Sequence, residues 1–154
     1  MSEYLKLGRV YFVLLAILTA GRFVMGNYSG VPFEKGTDKM SIVIVTIVAT
    51  LLYGAFARAF LGYRMWDAAK LTMTLGLVSQ IVVVLATTLS YLAGIESYFN
   101  HPMALNQPQA VGLGQALGIR AGGLVVNTLA CGITGALGWG LGALLPARAA
   151  AQQP

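Results

Sequence analysis

The residues of this chain that are able to do chemistry are few, and their types set narrow limits. His101 is the only histidine and Cys131 the only cysteine. A haem held by two histidines of the chain is excluded, and a zinc site would need three or more ligands from a sequence that offers almost none. Glu96, Glu34 and Asp38 are the acids nearest to hand. With Arg22 and His101, Glu96 and Glu34 make a candidate outer-face site if their loops touch, and no metal or cofactor is assigned to it. The plainer reading of His101-Pro102 is an interfacial turn. Ser97 and His101 stand four apart, but no glycine-flanked nucleophile elbow or orienting acid surrounds them. The glycine-rich AVGLGQALG lacks the lysine of a phosphate loop and follows no strand. No catalytic residue is assigned, and this chain alone is not expected to be an enzyme.

Polar side chains inside apolar runs are the second place where chemistry can sit. Ser79 and Gln80, and Asn127 with Thr128, are costly to turn toward hydrocarbon. Their ordinary role there is to hydrogen-bond between helices, at roughly 1 kcal/mol each. The alternative role is to line a polar site or narrow path for a small solute. No acid or histidine lies mid-span to serve a proton relay. Arg22 sits near the end of its run, where snorkelling to lipid phosphate is the common fate of an arginine and pairing with Glu34, Asp38 or Glu96 the rarer one.

The elements that must position these residues follow from composition. The 154 residues are 57% hydrophobic and only 10% charged, with a mean hydropathy of +0.74. A soluble domain carries about a quarter charged residues, so a water-soluble fold is excluded. The net charge of +5 is scattered rather than clustered, which argues against a nucleic-acid partner. Four apolar runs, at about 8–26, 40–62, 68–93 and 121–145, are each long enough to cross about 30 Å of hydrocarbon as a helix. The β-branched SIVIVTIVAT reads as helix because a lone strand in lipid leaves its backbone unsatisfied. The first run follows a basic lead, but the sites after Ala20 suit cleavage poorly, so it reads as a retained helix rather than a signal peptide. Thr37 or Asp38 is placed to cap the second helix and Asp67 the third.

One connection is long. Residues 94–120 exceed the usual link between packed helices, and their apolar, aromatic composition predicts a folded loop, with Pro108 opening a short helix near 108–118. Tyr28, Phe33, Tyr98 and Phe99 read as an interfacial belt. In the last run Gly132, Gly135, Ala136, Gly138, Gly140 and Gly142 supply the small residues that let helix backbones approach closely in lipid, within the chain or with a partner.

The expectation is therefore an all-α integral membrane protein, a single transmembrane domain over 1–154 built as a four-helix bundle with one long outer loop. Lys6, Arg9, Arg58, Arg64, Lys70 and Arg148 fall on one side and Arg22, Lys35, Lys39 and Arg120 on the other. The positive-inside rule then places both termini in the cytoplasm, and the absence of an organelle signal favours a prokaryotic plasma (inner) membrane. The expected partners are the lipid bilayer and other membrane subunits or a second copy of the chain. The expected function is that of an accessory or structural subunit of a larger membrane complex. An oligomeric channel or transporter using Gln80 and Asn127 is the alternative, and an outer-face ligand or metal sensor around His101 the third reading.

Overall fold

The computed structural model describes residues 2–28, 30, 32–33 and 41–146. Every regular element among them is helical. They are α1 (Ser2–Leu7), α2 (Arg9–Asn27), α3 (Ile42–Leu61), α4 (Met65–Leu92) and α5 (Leu113–Leu141), with single 3₁₀ turns at Pro102–Leu105 and Gly142–Leu144. Four of these helices are long and apolar enough to span a membrane, and they fit an integral membrane protein.

Local chemistry sets the ends. The Ser41 hydroxyl accepts the Ile44 N–H at 3.3 Å and caps α3, whereas Thr37 and Asp38 lie outside the described residues. Gly62, at φ +66°, stops α3 in the left-handed region that glycine enters without steric cost. The next helix begins at Met65, earlier than expected. Asp67 therefore stands in its first turn instead of capping it, near the positive end of the helix dipole and 3.7 Å from Lys70.

The last long helix, α5, also begins early, at Leu113. No separate short helix opens at Pro108, and the connection shrinks to 93–112. In the sequence Arg120 is the last residue of the long connection, just before the final apolar run. In the fold its guanidinium turns inward, so the helix passes through that position unbroken.

α4 is the central helix. Ala68, Leu71, Leu75, Ser79, Val83, Ala86 and Ser90 are buried along its length, and the other long helices pack around it. α5 lies against α3 and α4 at glycine contacts: a Cβ on Gly54 would strike the Gly135 carbonyl, one on Gly138 the Leu51 carbonyl, and one on Gly135 the Thr72 side chain. α2 joins the other flank through Tyr11, Leu15 and Leu18, which cluster with Ile42, Leu75, Val83 and Phe99.

Outward, every long helix shows apolar side chains: Val13 and Ile17 on α2, Val48 and Leu52 on α3, Ile81 and Leu85 on α4, Val126, Ile133 and Leu137 on α5. Such a girdle in water would be one continuous aggregation surface; against lipid tails it carries no penalty.

The two ends are closed differently. At the turn end, Trp139 donates its indole N–H to the Tyr63 carbonyl at 2.7 Å, Arg58 lies 4.1 Å over the Trp139 ring, and Tyr63 donates to the Glu3 carboxylate at 2.8 Å. The 93–112 connection covers the loop end.

Candidate ligand cavity at the loop end

The connection is held inward by its own polar groups. Ser90 and Ser97 share a hydrogen bond at 2.6 Å, the Asn100 carboxamide accepts the Ser97 N–H at 2.8 Å, and the Asn100 amide donates to the Ile95 carbonyl at 3.0 Å. This small knot turns Tyr98 and Phe99 into the protein, where both are buried. They are thus core residues at this end and not members of an interfacial belt. Phe99 packs on Phe23 at 5.0 Å between ring centres, and Tyr98 meets Phe33 edge-on at 5.4 Å. The Tyr98 hydroxyl donates to the Pro32 carbonyl at 3.1 Å, and the Tyr91 hydroxyl to the Val111 carbonyl at 2.7 Å.

Beneath this cover is a cavity of about 220 Å³ lined by Arg22, Gln80, Asn127, Arg120, Tyr98 and Phe99, among others. A smaller space of about 60 Å³ continues from it, and Val43, Gln80 and Asn127 line both. Arg120 reaches the cavity from α5. Its Nε donates to the Thr87 hydroxyl at 3.1 Å and its Nη2 to the Phe99 carbonyl at 2.8 Å. Arg22 reaches it from α2, with its guanidinium carbon 5.5 Å from the centre of the Phe99 ring and 5.9 Å from that of Tyr98, within cation–π range. Arg22 thus lies against the aromatic rings at this end of the bundle.

Gln80 and Asn127 do not make the interhelical hydrogen bonds expected of them. Neither carboxamide is bonded to the protein among the described residues, and Gln80 is only 9% exposed. The helices are joined by other groups. Thr46 donates to the Ile42 carbonyl at 2.6 Å and takes the Tyr11 hydroxyl at 2.7 Å, with Ser79 at 3.3 Å, while Thr50 and Thr134 pair at 2.7 Å. The Thr128 hydroxyl is buried without a partner among the described residues.

The described residues of the candidate outer-face site line two spaces that share Phe33 and Tyr98. His101 and Glu96 line a loop pocket of about 490 Å³ with Phe33 and Tyr98, Arg22 lines the adjoining inter-helix cavity, and Glu34 lies outside the described residues. The His101 ring stacks on Phe33 at 4.5 Å, and its Nδ1 accepts the Met103 N–H at 3.3 Å, which caps the 3₁₀ turn. Ser97 is bonded to Ser90 and Asn100 rather than to His101. Among the described residues no three acids, cysteines or histidines gather where a metal would sit.

The small residues of α5 are divided in the same way. Gly132, Gly135, Gly138 and Gly142 are buried against α3 and α4, whereas Gly140 has open space where a side chain would go. Sequence reasoning missed Arg120 as a site residue. The available signal was one positive charge in a helix otherwise without charge, a position that is costly in a membrane unless it serves a purpose.

Together these features define a helical bundle with a polar, arginine-bearing cavity at one end. No family model matches this chain, and no curated protein or solved structure matches it.

Proposed function

We propose that this chain is a membrane bundle that works by binding a small solute in the cavity between α2, α3, α4 and α5, rather than by catalysis. The observation that carries the reading is Gln80. Gln80 is only 9% exposed as a residue, and its carboxamide is bonded to none of the described residues; facing the cavity, such an amide forfeits roughly 1–3 kcal/mol unless a ligand or water satisfies it. Asn127 lines the same space, so the two amides offer donors and acceptors to one occupant. At about 220 Å³ the cavity is below the roughly 300–1,000 Å³ of sites for drug-sized molecules, so the occupant is small. With the positive-inside orientation, the cavity belongs to the outer half of the bilayer.

The test is native mass spectrometry of the protein extracted from its own membrane in mild detergent. A small-molecule adduct on the wild type that is lost in Gln80→Leu, with the fold retained, supports binding. A chain carrying no adduct in either form overturns it.

The accessory-subunit reading has its own support. Val125, Val126, Leu129, Ile133, Leu137 and Leu141 form a continuous exposed apolar face on α5, which either lipid or a partner helix covers. Unrelated polypeptides retained in stoichiometric amount in the same spectrum favour that reading; a homo-oligomer favours the channel alternative.

A further inference from the structure

Resting on that reading, we infer that the solute held by Gln80 and Asn127 is an oxyanion, a carboxylate or phosphate group, whose charge is met by Arg120. Arg120 is half-buried, and both hydrogen bonds that it makes are to neutral oxygens, the Thr87 hydroxyl and the Phe99 carbonyl. A guanidinium carries five N–H donors in a planar fork suited to two-oxygen acceptors. Two of the five are taken, and the side chain lines the cavity with donors to spare. No carboxylate among the described residues lines that space. A cation half-withdrawn from water with only dipoles as partners is incompletely compensated, and an anion in the cavity supplies the missing charge.

The two amides complete the recognition. Their N–H groups face an anion's oxygens, and their carbonyls take any hydroxyl or ammonium on its body. Tyr98, Phe99, Val43 and Val83 form the apolar wall, which suits a single ring or short chain behind the charged group. Two sources supply such chemistry: a free organic acid or phosphate, and the headgroup of an anionic lipid. Val43 lines both cavities and is itself exposed, so either source has an approach beside α3.

The experiment measures thermal unfolding of the full-length protein in lipid nanodiscs. The probes are benzoate, its neutral analogue benzamide and inorganic phosphate in phosphatidylcholine discs, and then phosphatidylglycerol discs without added probe. The expected result is saturable stabilisation by benzoate or phosphate, with benzamide at least tenfold weaker. Arg120→Gln is expected to weaken the anion tenfold or more. Arg120→Lys, which keeps the charge but loses the fork, retains part of the effect, and Arg58→Gln at the opposite end leaves the anion-induced shift unchanged whatever it does to the starting unfolding temperature.

Because Arg120 also holds the Phe99 carbonyl, Gln80→Leu serves as a second variant that leaves both Arg120 hydrogen bonds in place. It should likewise weaken the anion severalfold. Stabilisation by phosphatidylglycerol alone, dependent on Arg120 and Gln80, assigns the oxyanion to a lipid headgroup. Equal stabilisation by benzamide and benzoate overturns the anion while leaving a neutral solute in the cavity. If no probe and no lipid stabilises the protein in an Arg120-dependent way, the oxyanion assignment is overturned, and the adduct seen or not seen by mass spectrometry decides the binding reading separately.

Discussion

At the scale of single residues, the polar side chains of this bundle divide into those satisfied by the protein and those that are not. Thr46 is of the first kind, bonded to Ile42, Tyr11 and Ser79, and Thr46→Val should destabilise the fold by about 1–2 kcal/mol, read as a lower unfolding temperature. Gln80→Leu removes no protein hydrogen bond, so the unfolding temperature of the ligand-free protein should stay level or rise. A fall comparable to that of Thr46→Val would return Gln80 to a packing role. Tyr63 has a titratable signature. Its phenol donates to Glu3, and chiefly for that reason its pKa is pushed up from 10.0 to about 12. The folded state therefore holds this proton more tightly than the unfolded chain does. The stabilisation is complete below pH 10 and is lost as the pH rises toward 12. An absorbance titration of the wild type minus Glu3→Gln should show one tyrosine moving down toward 10 in the variant, and superimposable curves would remove the Glu3 contact from the account.

At the scale of elements, spacing in the sequence revealed that α5 packs closely but not against what. A side chain at Gly138 meets the Leu51 carbonyl, whereas one at Gly140 meets open space. Gly138→Leu should thus cost on the order of 1–3 kcal/mol or prevent folding, and Gly140→Leu should leave the unfolding temperature unchanged. Equal effects at the two positions would mean that the glycines serve an outside partner instead. The 93–112 connection makes a related case. Its length and aromatic content were plain in the sequence, but its inward fold depends on the Ser90–Ser97–Asn100 knot, which no spacing rule predicts. Asn100→Ala should loosen the connection and speed amide hydrogen exchange over 95–105 while sparing α3 and α4.

At the scale of the whole molecule, four long apolar helices share a girdle of outward hydrophobic side chains, and the polar chemistry is collected at one end. Glu3, Tyr63 and Trp139 meet at the turn end, opposite the loop cover. In a Cys131→Ala background, Met103→Cys should react with an impermeant maleimide added outside cells, and Trp66→Cys only after the membrane is opened. The reverse pattern would invert the orientation inferred from basic residues. The helical class, the number of long helices and the small-residue face of α5 were determined by the sequence alone, because length, hydropathy and i, i+4 spacing are local properties and the requirement to satisfy the backbone in lipid leaves little choice. The starts of α4 and α5, the burial of Tyr98 and Phe99, and the meeting of Arg22, Arg120, Gln80 and Asn127 were decided only in three dimensions. Each depends on which partner a polar group finds across the bundle: Arg120 reads as the last residue of the loop before the final apolar run until Thr87 and the Phe99 carbonyl, distant in sequence, supply the acceptors that let it turn inward.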